Sequence, residues 1–300
     1  MMQRWDFANM EFTARTLFAK IHKRKHTSNP NHDIHFLTRE LDIWLPTGIR
    51  ALIDGSYISH PLRRYYFEDE VVDQLEIPDR IYQHVLLKQL KPTFQYVAHK
   101  NCYHLFGPTG VKRATQHILE ALQTNEYHYV IRVDIKSFYR SIPQYKLIQD
   151  IKATYDDENV QRMLEDIIRN PIDTPRGFQN PECGIALRGP LSQLFSAIYL
   201  KPLDAAFDAM EVVYARYQDD ILILCKTKQQ YNRCRRKMSE VLQERRLTLS
   251  RKKSRFGRVE DGFHFLGINY LGTQTPNNTN ATEGLKNQSK SDHLITSGGG

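Results

Sequence analysis

Apolar positions along this chain follow two periods, one typical of helices and one typical of strands. Spacings of three and four residues within 12–21 predict a helix, and the polar run 26–33 predicts a loop after it. Alternation within residues 62–77 predicts a β-hairpin. The next helix is predicted over 78–90, because this segment opens with proline and aspartate and is followed by a Lys-Pro pair.

The middle of the chain shows the most regular pattern. A Gly-Pro-Thr-Gly turn at 107–110 leads into a predicted helix near 111–124, and residues 128–134 form a predicted strand. Residues 144–169 are predicted to be helical, and residues 170–188 to be mainly loop.

The last third combines apolar strands with a basic helix. A Gly-Pro pair at 189–190 opens a predicted helix, and two apolar strands are predicted at 212–217 and 221–225. Residues 228–245 are predicted to form a basic helix, and residues 262–270 a final strand. The predicted fold class is α+β.

Composition excludes several classes of protein. The 300 residues are 40% hydrophobic and 25% charged, as in ordinary soluble globular proteins, which excludes wholesale disorder, collagen and coiled coil. No apolar run is long enough to span a bilayer, and the first residues lack the apolar stretch of a secretory signal. The four cysteines lie too far apart for a disulfide framework or a zinc site. We therefore expect a cytoplasmic protein with no membrane partner.

Positive charge is concentrated in one segment. The net charge of the chain is +8, but residues 226–258 contain 13 Lys and Arg against two Glu, a local net of +11. The rest of the chain therefore carries a net of −3. Such a segment suits a polyphosphate partner such as nucleic acid, because neutralised phosphates release counterions. A solvated basic helix face is the alternative.

Adjacent aspartates, Asp219 and Asp220, lie between the two apolar strands. A turn explains one aspartate there but not a pair, whose like charges resist joint ionisation in the absence of a cation. A third aspartate, Asp134, ends another apolar strand, where a routine strand-end cap is the alternative. If the three carboxylates converge at one sheet edge, they can hold two Mg²⁺ ions about 3.5–4 Å apart for in-line phosphoryl transfer.

Six short segments follow one another along the chain: 77–81 (IPDRI), 133–139 (VDIKSFY), 184–193 (GIALRGPLSQ), 217–220 (YQDD), 250–253 (SRKK) and 265–267 (FLG). In their order and spacing they resemble the motifs of reverse transcriptases, in particular bacterial enzymes of the group II intron, retron and defence-associated type. The resemblance covers about residues 60–270.

The resemblance implies a metal centre and a nucleotide site. Asp134 and Asp219 would ligate two Mg²⁺ ions, for which Mn²⁺ can substitute, and Asp220 would support them. Tyr139, or its neighbour Phe138, would pack against the sugar of the incoming nucleotide, with a core aromatic as the alternative.

Further nucleotide contacts follow from the same resemblance. Gly189 and Gln193 would lie in the helix under the nascent base pair. Arg63, Arg64 and Arg80 stand where residues of the fingers grip the triphosphate, although each is also explained as a surface charge.

Two more assignments concern the end of the matched region. Lys252 or Lys253 would protonate the departing pyrophosphate, with plain phosphate contact as the alternative, and Phe265-Leu266-Gly267 would form the primer grip. Leu187 departs from the family pattern, because glutamine is common at that position.

The implied architecture is a right-hand polymerase with a short or missing thumb. The fingers would span 1–130 and the palm 131–225, with fingers helices inserted at about 144–180. Residues 226–270 would form a basic connector and the primer grip, and 271–300 a disordered polar tail.

The implied activity is RNA-directed DNA polymerisation, with an RNA template, a DNA or RNA primer and dNTPs. A role in antiphage defence, with a non-coding RNA or a partner protein, is a further hypothesis. Untemplated or protein-primed DNA synthesis at the same site is an alternative. A catalytically idle RNA-binding scaffold is another, although the presence of Asp134, Asp219 and Asp220 speaks against it.

Overall fold

The structure, a computed structural model, describes residues 5–68, 71–186 and 189–270. The chain divides into two units, the first formed by Met1–Ala98 and Ser137–Tyr199 and the second by His99–Lys136 and Leu200–Gly300. These boundaries differ from the predicted domain boundaries, because residues 99–130 group with the second unit. The names fingers and palm stay predictions. The predictions for Leu187 and for the tail 271–300 lie outside the described residues.

Helices make up most of the first unit. Their bounds are α1 (Phe7–Lys25), α2 (Asp33–Arg39), α3 (Leu41–Asp54), α4 (Ile77–Leu90), α5 (Phe94–Val97), α7 (Phe138–Ser141), α8 (Gln144–Thr154), α9 (Glu158–Ile168) and α10 (Ser192–Tyr199). Helix α1 begins where the Asp6 side chain accepts the backbone N–H groups of Ala8 and Asn9. It buries Met10, Ala14 and Phe18 at four-residue spacing, which confirms the helix predicted there.

A four-stranded sheet completes the first unit. Its strands are β1 (Leu62–Tyr66), β2 (Val71–Gln74), β4 (Ile172–Thr174) and β5 (Gly177–Gln179), in the order β2-β1-β4-β5. Strand β1 is antiparallel to β2, as predicted, and parallel to β4.

Two predictions for the first unit need correction. The segment predicted as loop contains the β4–β5 hairpin, whose three-residue strands are too short to show alternation. The segment predicted as one helical stretch forms two helices, α8 and α9, because Asp157 caps a new helix by accepting the backbone N–H groups of Asn159 and Val160.

The second unit contains an antiparallel sheet. Its strands are β3 (Tyr129–Asp134), β6 (Val213–Tyr217), β7 (Asp220–Cys225) and β8 (Arg255–Arg258), in the order β6-β7-β3-β8. The central strands are apolar and buried, with Val130, Ile131 and Val133 in β3 fully covered. Strand β8 was not predicted, since its sequence Arg-Phe-Gly-Arg lacks a run of strand formers.

Helices and a small hairpin cover this sheet. They are α6 (Gly110–Gln123), α11 (Lys201–Asp208), α12 (Lys228–Glu244), β9 (Phe263–Phe265) and β10 (Ile268–Tyr270). Helix α12 begins with a capping box between Thr227 and Gln230 and packs against α11, β3 and β7. The segment predicted as the final strand forms two antiparallel strands, β9 and β10. The turn between them consists of Leu266 and Gly267, whose φ values are 51° and 79°.

The fold is α+β, as the sequence predicts, with packed helices, a mixed sheet in the first unit and an antiparallel sheet in the second. Within the described ranges, no helix combines the length and the apolar character that crossing a membrane requires.

Candidate active site

Three aspartates lie at one end of the sheet in the second unit. Strand β3 ends at Asp134 and β7 begins at Asp220, and the strand register places these two residues directly opposite each other. Asp219 precedes Asp220 in the turn from β6 to β7. The segment predicted as a three-residue connector is thus a two-residue turn, because Asp220 already pairs with Tyr217.

Both backbone polar groups of Gln218 in this turn form hydrogen bonds. Gln218 has a left-handed φ of 56°. Its N–H donates to Nδ1 of His104 at 3.0 Å, and its carbonyl oxygen accepts from Nη1 of Arg216 at 3.0 Å. These contacts offset the strain of the left-handed conformation and fix the place of Asp219 next to it.

Arg216 belongs to a buried ion pair beneath the turn. Its Nε and Nη2 atoms lie 2.6 and 2.5 Å from the Asp204 carboxylate, and both side chains are 0% exposed. The Tyr214 hydroxyl donates to the same carboxylate at 2.7 Å. Burial lowers the pKa of Arg216, but the charge and hydrogen bonds of Asp204, together with Cys102 and Tyr214, hold the pKa above its ordinary value. The arginine is therefore charged and fully paired.

A second arginine binds Asp220 from the neighbouring strand. The Nε and Nη2 atoms of Arg132 each lie 3.1 Å from one oxygen of the Asp220 carboxylate. Burial raises the pKa of Asp220 and the Asp134 charge adds to this, whereas Arg132 lowers it. The side chains of this pair are 22% and 21% exposed, so solvent screens it in part.

Lys253 lies next to Asp134. Its Nζ atom is 3.7 Å from Oδ2 of Asp134, and its carbonyl oxygen accepts from Nη1 of Arg132 at 3.1 Å. The segment that carries it is tied to the strand end, because the Ser250 N–H donates to the Asp134 carbonyl oxygen at 2.8 Å. Lys252 is exposed, and no carboxylate pairs with it among the described residues.

The chemistry of the three carboxylates suits a divalent cation. Burial, together with the charges of Asp134 and Asp220, raises the pKa of Asp219 to about 6. A hard cation with oxygen ligands, such as Mg²⁺, relieves this repulsion. Because both Asp220 oxygens contact Arg132, Asp134 and Asp219 are the better placed ligands.

A second group of possible metal ligands lies outside the three aspartates, and its ligand atoms lie close together. Of the residues that the structure describes, His60, Glu76 and Asp79 in the first unit bring three ligand atoms within 4.8 Å of one another. Asp79 already accepts from the Tyr57 hydroxyl at 2.7 Å and contacts His60 Nδ1 at 2.9 Å, and Glu76 pairs with Arg63 at 2.9 Å. This group is therefore explained as a satisfied polar network without a metal.

The arginines predicted to grip triphosphate lie in the first unit. Arg63 pairs with Glu76, and Arg64 makes a bidentate pair with Asp73 across β1 and β2 at 2.7 and 3.0 Å. Arg80 is exposed near the start of α4. The structure thus gives two of the three a carboxylate partner, and their nucleotide role stays a prediction.

The remaining predicted residues differ in exposure. Phe138 is 2% exposed and belongs to the core, whereas Tyr139 is half-buried. The ring centroids of these two residues lie 5.1 Å apart. Gln193 is exposed on α10, and Gly189 lies just before that helix. In the predicted primer grip, Phe265 is fully buried, Leu266 is half-buried and Gly267 is exposed.

Sequence reasoning missed the arginines that organise the site. Arg132 and Arg216 each interrupt an otherwise apolar strand. A charged residue at such a position must find a partner when it is buried, so this interruption was the available signal. It does not reveal the partner, which for Arg216 is a residue of α11.

Comparisons with known proteins indicate the family of this chain. A family model described as "Reverse transcriptase (RNA-dependent DNA polymerase)" matches residues 71–270, two thirds of the chain. No curated protein matches this chain.

The solved structures that resemble this chain include two telomerases and a Cas6-RT-Cas1–Cas2 complex. The apo telomerase of Candida tropicalis, truncated from its C-terminal domain, is 17% identical over 65% of this chain, with a TM-score of 0.48. A partial Cas6-RT-Cas1–Cas2 complex is 18% identical over 79%, with a TM-score of 0.44. The telomerase of Candida albicans, with a fragment of telomeric RNA, is 12% identical over 64%, with a TM-score of 0.48. The chain spans 47%, 41% and 35% of their respective lengths.

Proposed function

Because the chain belongs to the reverse transcriptase family, we propose that it is an RNA-directed DNA polymerase that extends a DNA or RNA primer with dNTPs. One observation carries this proposal: Asp134, Asp219 and Asp220 lie at the same end of one sheet. Carboxylates gathered in this way suit phosphoryl transfer assisted by divalent cations.

The residues divide into ligands and supporting groups. The family generally uses divalent metal ions; in this chain Asp134 and Asp219 would hold two Mg²⁺ ions, which stabilise charge on phosphate oxygens when bound. Asp220, which pairs with Arg132 in this structure, would support them. Lys253 lies beside Asp134 and is the better candidate of the two lysines to protonate pyrophosphate.

The proposal is tested by primer extension with Mg²⁺ and dNTPs on an RNA template of defined sequence. The Asp219→Asn variant should extend the primer at least about 10³-fold more slowly, since it weakens a metal ligand. Asp261→Asn is the matched control, because Asp261 is an exposed acid of the same unit. RNA binding should survive in both variants.

Two results would decide against the proposal. Unchanged primer extension by the Asp219→Asn variant would show that the carboxylates are not needed for catalysis. Sequencing of the product distinguishes the alternative, because DNA that is not complementary to the supplied RNA would indicate untemplated synthesis.

A further inference from the structure

A groove runs along the second unit between α12 and the segment 246–256. Its volume is about 1000 Å³. The side chains of Arg235, Arg236, Arg246 and Arg251 line it, and no acidic residue does.

The arginines of the groove give it an excess of positive charge. Within the described ranges, Arg235 and Arg251 have no carboxylate partner, and Arg236 lies 3.7 Å from Glu240 at the limit of an ion pair. The like charges of Arg235 and Arg251 at one groove repel each other and do not stabilise the fold. A polyanion removes that repulsion, so charge complementarity favours one as the occupant.

The floor of the groove is apolar and contains one accessible aromatic ring. Met238, Leu242 and Leu247 are buried beneath it. Phe256 on the edge strand β8 is 39% exposed, and the Arg235 guanidinium carbon lies 5.0 Å from its ring centroid. Rings beside arginines are the usual platform on which bases of single-stranded nucleic acid stack.

Uncharged polar side chains also line the groove. Asn232, Ser239 and Gln243 are exposed along α12 and offer amide and hydroxyl groups to it. A ribose 2′-hydroxyl both donates and accepts hydrogen bonds, so such groups favour RNA over DNA.

We propose that this groove binds single-stranded RNA, with phosphates on Arg235 and Arg251 and a base stacked on Phe256. This site is additional to the carboxylates, although one segment serves both: it carries Arg251 into the groove and Lys253 to Asp134. The inference goes beyond polymerisation, because it concerns binding in the absence of nucleotide.

The test measures RNA affinity with the full chain and no nucleotide or metal ion. The probe is a fluorescent single-stranded RNA of about 20 nucleotides, titrated at several salt concentrations. For the Arg235→Gln/Arg251→Gln variant we expect affinity about tenfold lower, and the slope of log affinity against log salt should fall by about 1.4. For Phe256→Leu we expect affinity lower by at least about fivefold.

The matched control is Arg233→Gln/Arg255→Gln, which removes two exposed arginines of the same segments that do not line the groove. An equal loss of affinity in this control would overturn the groove assignment, since binding would then follow overall charge. Equal affinity of the wild type for DNA of the same sequence would overturn the assignment to RNA. Competition by a polyglutamate peptide at the affinity of RNA would overturn it in favour of a protein partner.

Failure of this inference is distinguishable from failure of the proposed function. The Asp219→Asn variant should bind the RNA probe like the wild type while its primer extension is lost. A wild type that binds RNA through the groove but extends no primer would contradict only the polymerase assignment.

Discussion

Two arginine–aspartate pairs flank the turn that carries Asp219, and they differ in exposure. Arg216 and Asp204 beneath the turn are both 0% exposed. Arg132 and Asp220 beside it are 22% and 21% exposed. The buried pair contacts only other protein groups, whereas Asp220 belongs to the three carboxylates of the proposed metal site.

The difference in exposure indicates that the buried pair supports the turn and that the partly exposed pair takes part in function. A buried charge cannot exchange its partner for water at low cost, so Arg216 keeps its contacts with Asp204 and with the Gln218 carbonyl oxygen. The Arg132–Asp220 pair is partly exposed, so solvent screens it and a cation can compete with Arg132 for Asp220. The turn is thus rigid on its buried side and adaptable on the side of the carboxylates.

The largest expected effect comes from breaking the buried pair. Arg216→Met leaves Asp204 charged, buried and without its main partner. We expect the free energy of unfolding to fall by about 3–5 kcal/mol, measured by urea denaturation.

The control is the double variant Arg216→Met/Asp204→Leu, which removes both charges. Apolar replacement of a buried pair is often close to neutral, so this variant should recover part of the lost stability. Its primer extension should stay reduced at temperatures where it is folded, because the Gln218 carbonyl oxygen still lacks its donor. Full recovery of extension would show that the pair supports only the fold.

The next effect concerns the two neighbouring lysines. Lys253→Ala should slow extension by about 10²-fold, as expected for loss of a general acid. Lys252→Ala should slow it by less than about threefold, because the screened charge of an exposed lysine contributes little. Single-turnover rates check this, since they exclude product release. Equal effects would mean that both lysines merely contact phosphate.

Prediction from sequence was successful for strands β3, β6 and β7 of the sheet in the second unit. The long apolar runs around Asp134 and Asp219 identify buried strands, because such runs are stable only when buried. It failed for the contacts that connect distant segments. Nothing in the strand of Arg216 indicates that its partner is Asp204 on α11, since that contact depends on how the helix packs on the sheet. Strand β8 was missed for the same reason, because it forms by pairing with β3.

The smallest effect tests whether the partly exposed pair of Arg132 and Asp220 can exchange partners. Arg132→Met removes a positive charge that competes with a cation for Asp220. We expect the Mg²⁺ concentration for half-maximal extension to fall by about threefold, and the free energy of unfolding to change by less than about 1 kcal/mol. The control is Arg255→Met, since Arg255 lies opposite Arg132 on β8 and does not contact Asp220. A higher Mg²⁺ requirement in Arg132→Met would show that the arginine holds Asp220 in place for the metal, so that the exposed pair is as fixed as the buried one.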